Sequence, residues 1–594
     1  MSYRRKKLLA LFFAMALSMT AVAGCTGAKS STGNVVSLET ETNAEETSAQ
    51  SEAGTFSSAD MFTERDLAGT YEESRAVYVT LSDDGIAGET DGVVIDGQMV
   101  TITAEGTYIF SRTLSEGQIV VDADNAKVQI VFDNVDITCA SSAAVYVKSA
   151  EKVFVTLAEG SQNTLRNTDE YVAIDDNNID AVIFAKSDLT LNGTGSLTII
   201  SAEGHGIVSK DDLKIIGGTY DITAAGHALS GKDSVRIADG TFILTAEKDG
   251  IHAENADDEE KGYIYIADGD FTITSDGDGM DASNIVQIED GTLDITAGGG
   301  SANSLKTHES DVPGGPGGGM PQNGEKLDGE SMPQMGEKPD GENMPQDTTT
   351  DESGTSTKGI KAGGGMYLNG GTYQIDSADD SIHSNANITI ADGTYTLATG
   401  DDGVHADDAL IVNGGTITVT ESYEGLEGLA VTINDGTIDI TASDDGINTA
   451  GEKMELNGGY IHILAGGDGV DSNGDLTING GEIYIDGPSD NGNSAIDYGD
   501  RSSAYVNGGM LVAIGSSGMA EGMSDSSKQE VLMVKLGEQM EAGDVELTDN
   551  EGNVIVSYTA LKSYDCVIIS TAEVESGATY TLTTSGTTTE VTAE

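Results

Sequence analysis

Apolar residues alternate with polar ones in short runs through most of the chain, and the runs recur at a fixed interval. Tyr395 and Leu397, Ile417 and Val419, Ile438 and Ile440, and Ile461 and Ile463 stand two apart. Thr396, Thr418, Asp439 and His462 lie between them. Period two predicts strands with one buried face, and places those four polar residues toward solvent. An Asp-Gly or Gly-Gly turn precedes each run, its second glycine falling at Gly218, Gly240, Gly269, Gly291, Gly371, Gly393, Gly415, Gly436, Gly459, Gly481 and Gly509. The intervals are 21 to 23 residues except for three, of 29, 80 and 28. A repeat near 22 built of strand-sized pieces predicts a β-solenoid, because one coil cannot bury its apolar face without a neighbour.

Alternating stretches at 128–132 and 153–155 carry strand character back toward the start. After about residue 525 the period ends, and residues 531–534 and 554–558 read as strands of a small β-rich module. Such a cap is needed, since a bare terminal coil exposes strand edges. The expected fold is all-β: a parallel β-helix of about 22 residues per coil over 61–524, then a β-rich C-terminal cap over 525–594. The longest gap contains residues 307–357, with six of the seven prolines and tandem Met-Pro-Gln units at Met320, Met332 and Met344. Low complexity without apolar period reads as an insertion loop.

Composition changes the picture at two points. The 77 glycines do not fall at every third residue, which excludes collagen. A formal charge of −71 argues against a nucleic-acid partner and leaves cations, cation-bridged acidic polymers or neutral sugars. At the start, Arg4, Arg5, Lys6 and Lys7 precede an apolar stretch over 8–17 that is too short to span a bilayer. Val22-Ala23-Gly24-Cys25 follows and resembles a bacterial lipobox. The expectation is a signal peptide over 1–24, a lipidated Cys25, and a Ser/Thr/Glu-rich disordered stalk over 25–60. Membrane contact would then be through the N-terminal lipid anchor only. Cleavage removes four basic residues and no acidic one, so 25 basic groups would face 100 acidic ones, a net −75. Cys139 and Cys566 are the remaining cysteines, too few for a disulfide framework.

The second half of each coil carries a D-G-h turn in which h is apolar and inward. Aligning on h produces two polar columns. Two residues before h stand His205, His227, Asp249, Asp278, Asp380, Asp402, Glu424, Asp445 and Asp468. One residue after h stand Val208, Ser230, His252, Asp281, His383, His405, Glu427, Asn448 and Asp471. Coils stack about 4.8 Å apart, so like carboxylates in register repel unless they take up protons or share cations. Ca²⁺ suits hard oxygen ligands, which makes Asp249, Asp278, Asp281, Asp380, Asp402, Asp445, Asp468 and Asp471 candidate metal ligands. The competing reading is that Asp-Gly serves only as turn chemistry, the side chain bonding local backbone N–H groups. His383, His405 and Glu427 are candidate sugar contacts. Without Trp, Tyr423, Tyr484 and Tyr498 are the candidate stacking residues.

The GGT-strand-DGI coils, the lipobox and the Ser-Thr-Lys-Gly-Ile stretch at 356–360 together resemble a surface lipoprotein family. Its carbohydrate-binding domain is a pectate-lyase-like, right-handed parallel β-helix. The resemblance covers roughly residues 77–515. It implies binding of acidic pectic polymers and cellulose, with Ca²⁺. It also raises a polysaccharide lyase as an alternative, in which a basic side chain abstracts the proton α to a uronate carboxylate. Arg236 lies outside the columns, so Lys361 and Lys306 are the weak candidates for that base, each read as occupying the outward column. A non-catalytic surface spacer is the third reading.

Overall fold

A computed structural model describes residues 55–306 and 356–593, apart from Glu89, Glu452 and Asp500. The expected signal peptide, Cys25, most of the stalk and nearly all of the insertion lie outside the described residues.

The chain is all-β, and the repeat is three strands long. Thr372–Ser377, Ile382–Ser384 and Ile388–Ile390 make one coil. In the next, Thr394–Thr399 pairs in parallel with the first of these, and Val404–Val412 pairs with both others. Register holds along the stack: Thr219, Thr241, Asp270, Thr292, Thr372, Thr394, Thr416 and Thr437 face one another in turn. The gap over the insertion does not disturb it, because Met280–Ala282 pairs directly with Ile360–Ala362. Strands of the Thr-rich face such as Thr219–Ala224, Thr241–Ala246 and Thr437–Ala442 show the exposed–buried alternation that period two predicts. Its inward residues join one core cluster extending from Val79 to Ile568. Some inward positions hold rings: Tyr220, Phe242 and Phe271 stack at 5.2 and 4.6 Å, and Tyr373 lies 4.5 Å from Tyr395. The buried phenols are satisfied, since Tyr220, Tyr373 and Tyr395 each donate to a carbonyl of the preceding turn.

All eleven repeat glycines have positive φ, from 85° at Gly459 to 148° at Gly240. Coil stacking adds a second constraint, because a Cβ on Gly459 would stand 2.7 Å from the carbonyl oxygen of Gly436 in the coil below. Gly459→Ala is therefore expected to cost about 1–3 kcal/mol from backbone strain alone. Denaturation midpoints of the variant and the native protein check this.

The C-terminal end of the stack is covered. There Tyr564–Ser570 pairs antiparallel with Met510–Gly515 of the last coil and also with Leu532–Met540. A separate four-stranded antiparallel sheet over Gly543–Thr592 completes the module. This module corrects one expectation: His462 does not face solvent. Its Nδ1 lies 2.9 Å from Asp439 Oδ1, and its Nε2 lies 3.4 Å from the Tyr558 hydroxyl of the module. The same tyrosine stacks on Tyr484 at 5.2 Å, which removes Tyr484 from the open stacking surface. Along the side of the stack, the expected stalk docks before its boundary: Phe56 lies 4.3 Å from Tyr263, and its N–H donates to Gln287. Asp66, fully buried, pairs with Lys152 at 2.6 Å and fastens the short helix Glu64–Ala68 to the coils.

Candidate functional site: the polar columns

The side chains two residues before h have a common structural task. All but Glu424 accept, with one atom, the backbone N–H of the equivalent residue one coil further on. Asp278 N donates to Asp249 Oδ1 at 2.9 Å, Lys358 N to Asp278 Oδ1 at 2.7 Å, and Asp402 N to Asp380 Oδ1 at 3.1 Å. Glu424 N donates to Asp402 Oδ1 at 3.2 Å, Asp468 N to Asp445 Oδ1 at 2.6 Å, and Ser494 N to Asp468 Oδ1. His205 and His227 do the same with Nδ1. The turn reading therefore needs correcting: these aspartates bond the next coil rather than their own turn. One carboxylate oxygen is committed to the backbone, and the other is left for the column beside it.

What meets that second oxygen divides the columns into three stretches. In the first it is imidazole. His205, His227 and His252 stack at 4.8 and 4.2 Å, and Asp249 Oδ2 lies 3.0 Å from Nδ1 of both His227 and His252. Burial pushes His205 down to about 3 and also lowers His227. For His252 burial acts the same way, but Asp249 and Asp281 outweigh it and hold the ring up at about 10.

In the second stretch the partner is lysine. Lys358 Nζ lies 2.6 Å from Asp380 Oδ2 and 2.9 Å from Asp379, and Lys361 Nζ lies 3.5 and 3.4 Å from Asp278 and Asp281. Pairing confirms that Lys361 shares the outward column with Asp281 and His383. Lys306 does not. It lies outside the strands and reaches across to Asp379, at 2.7 Å, and Asp401. Lys358 was missed by sequence reasoning, yet it stands two residues before the inward Ile360. The count that located the other column members would have found it. Where lysine interrupts the acceptor column, Asp380 N turns instead to Asp379 Oδ1. Burial alone would lower these lysines, but facing carboxylates raise Lys306, Lys358 and Lys361. A general base needs the opposite shift, so the lyase alternative draws no support from Lys306 or Lys361. Lys358, then His383 and Lys306, hold Asp380 well below the carboxylate range against its burial. Asp278, with the weaker Lys361 contact, is pushed up by burial to about 7.

His383 and His405 continue upward from here. His383 Nδ1 lies 2.9 Å from Asp380 Oδ2, while His405 Nδ1 lies 3.0 Å from Asp402 and 3.1 Å from Glu427. Both rings are largely buried, with 12 and 15 % of the side chain exposed, so neither is an open sugar contact. Glu427 is pushed up to about 8 by burial and Asp402, with His405 opposing. Tyr423 is half-buried beside them, its N–H donating to Asp401 O at 2.6 Å.

The third stretch has carboxylates without a basic partner. Asp445, Asp468 and Asp471 bring one oxygen each within 4.8 Å of one another. The outward column goes one coil further than the sequence alignment followed, since Asp471 pairs with Asp497. Among the described residues no Lys, Arg or His forms an ion pair with any of the four. Burial, then neighbouring aspartates, pushes Asp445 up to about 8, Asp468 to about 7 and Asp471 to about 6. The donor set is all oxygen and negatively charged, and ligands of one Ca²⁺ at 2.3–2.6 Å each stand at most about 5 Å apart. These residues fit Ca²⁺. The structure thus brings together three of the eight candidate metal aspartates without a competing basic side chain, and gives the other five imidazole or lysine neighbours.

Comparison with known proteins follows the same ground. A family model described as carbohydrate-binding domain-containing protein matches residues 96–403 and 401–575. A protein of Acetivibrio thermocellus with that description is 40% identical over 139 residues, 23% of this chain and 49% of the relative. The chain thus spans about half the length of the curated relative it matches. A solved structure of a polysaccharide lyase-like protein from C. thermocellum, a gadolinium derivative, is 36% identical over 38% of this chain and 92% of that one. Its TM-score of 0.37 is too low for the superposition to establish a shared fold.

Proposed function

Because the chain belongs to the family of carbohydrate-binding domain-containing proteins, we propose that it is a surface lipoprotein binding an acidic, polygalacturonate-like polysaccharide through Ca²⁺. The carrying observation is the unpaired acidic stretch formed by Asp445, Asp468 and Asp471. A chain of charge −71 repels a uronate polymer. A divalent cation held by these oxygens reverses that locally and keeps coordination positions for the carboxylates of the sugar. In the cation's absence the side chains relieve their repulsion by taking up protons, as their raised pKa values require. Cellulose offers no carboxylate for a cation to bridge, so the acidic polymer fits this stretch better. The lipobox-like stretch over 22–25 supports the reading of Cys25 as a lipid-modified residue that anchors the domain outside the cell membrane. The coils are proposed to wind right-handed, the hand of about 98% of parallel strand connections.

Affinity electrophoresis in gels containing polygalacturonate tests the residues. The Asp445→Asn/Asp468→Asn double variant keeps both Oδ1 acceptors but loses the charges, and is expected to bind the polymer at least about 10-fold more weakly, as ligand loss does at metal sites. Asp439→Asn, on the Thr-rich face, should bind as the native chain does. Equal retardation of all three proteins would overturn the assignment.

A further inference from the structure

The histidine-bearing stretch has a different donor chemistry from the aspartate stretch, and it is not explained by glycan binding. Asp249 Oδ2 stands 3.0 Å from His227 Nδ1 and 3.0 Å from His252 Nδ1, and Asp281 Oδ2 is 3.5 Å from His252 Nδ1. The first three of these atoms all lie within 4.8 Å of one another. From these four residues we infer a second cation site, for a borderline transition metal of the Zn²⁺ class, with His227, Asp249 and His252 as ligands and Asp281 as the fourth.

Geometry supports this in three ways. Zinc holds nitrogen at 2.0–2.1 Å and carboxylate oxygen at 2.0–2.2 Å, so two of its ligand atoms in a tetrahedron are about 3.4 Å apart. The observed separations of 3.0–3.5 Å are already near that value. His252 Nδ1 is buried and takes part in no hydrogen bond, although two carboxylate oxygens stand close to it. The contact has the spacing of atoms sharing a centre rather than the alignment of a donor with its acceptor. Finally, His227 Nδ1 accepts the Asp249 N–H at 3.2 Å, so that nitrogen carries no proton and its lone pair is engaged only by this long bond. A metal would exchange this long bond for a ligand bond.

The surroundings complete the site. Glu254 Oε2 lies 3.5 Å from His252 Nε2, on the far side of the ring from the cluster. With Glu254 facing it, Nε2 can keep its proton while a metal displaces the one on Nδ1. The rings of His205, His227 and His252 open onto a cleft of about 380 Å³ that is also lined by Lys210, Lys232 and Lys248 and by Glu254 and Asp257. Imidazole nitrogen selects Zn²⁺ and its neighbours in the first transition row over Ca²⁺, which takes six to eight oxygens. The two stretches of one column would then hold different metals for the same reason that they hold different residues.

The test is a crystal of the full mature chain soaked in Zn²⁺, with anomalous data collected on both sides of the zinc edge. A peak bonded to His227 Nδ1 and His252 Nδ1 is expected. In solution, Zn²⁺ calorimetry should show a site at least about 10-fold tighter for Zn²⁺ than for Ca²⁺. His252→Ala should weaken that site roughly 100-fold, while Asp468→Asn, in the other stretch, should leave it unchanged. Asp281→Asn provides a milder variant should His252→Ala fold poorly, and the anomalous map needs no variant. A map without a peak between these rings, or Zn²⁺ binding indifferent to both His252→Ala and Asp281→Asn, would overturn the site. Either result would leave the Ca²⁺ reading of Asp445, Asp468 and Asp471 standing, since that reading uses none of these four ligands.

Discussion

Replacing Lys358 with methionine is expected to destabilise the coil stack by about 3–5 kcal/mol, among the largest effects any single substitution in this chain should have. Lys358 neutralises Asp380, whose side chain is only 2 % exposed. Asp380 cannot turn away, because its Oδ1 accepts the N–H of Asp402 in the next coil. Removing the lysine leaves a buried charge with only His383 and Lys306 to offset it, and breaking a buried pair from one side costs far more than the pair contributes. The Lys358→Met/Asp380→Asn double variant should recover much of the loss, since Asn keeps the backbone acceptor and carries no charge. Chemical denaturation followed by circular dichroism measures all three proteins. A single variant within about 0.5 kcal/mol of the native chain would show that the pair is not structural.

The second large effect concerns pH in the absence of metal. Asp445, Asp468 and Asp471 have folded-state values of about 8, 7 and 6 against an ordinary 3.8. The folded chain therefore binds more protons than the unfolded one over that window. The stability these groups contribute is fully present below about pH 4 and is lost as pH rises through about 8. With EDTA, the native protein should melt at progressively lower temperature from pH 5 to pH 8.5, while Asp445→Asn/Asp468→Asn should fall distinctly less. Adding Ca²⁺ at pH 8.5 should reverse the loss in the native chain, by about 2.7 kcal/mol at a hundredfold excess over Kd. It should do little for the variant. Parallel melting curves for the two proteins across pH would contradict the proton-loaded column.

Much of this was legible in the sequence. The 22-residue period, the alternation of Tyr395 with Leu397 and the turn glycines report the strands directly, because each coil repeats the same local constraints. Counting from the inward residue also placed His252, Asp281, Lys361, His383 and His405 in one column. The count failed where it was not carried through: Lys358 before Ile360, and Asp497 after Ile496, obey the same spacing. Other features were not legible in principle. That Asp249 Oδ1 bonds the backbone of the next coil depends on side-chain direction, which residue spacing does not encode. Lys306 reaches Asp379 and Asp401 from outside the repeat, and His462 is covered by a module with no periodic relation to it. Contacts of that kind exist only once the chain has closed on itself.

Function follows from how the column charge is balanced. Imidazole balances it near His252 and lysine near Asp380, which leaves Asp445, Asp468 and Asp471 as the stretch proposed to take an outside cation. The most direct measurement is the mobility of the mature chain in a polygalacturonate gel run once with Ca²⁺ and once with EDTA. Retardation with Ca²⁺ that disappears in EDTA is the predicted result. Retardation that is the same in both gels, or absent from both, would contradict a calcium-bridged polysaccharide site.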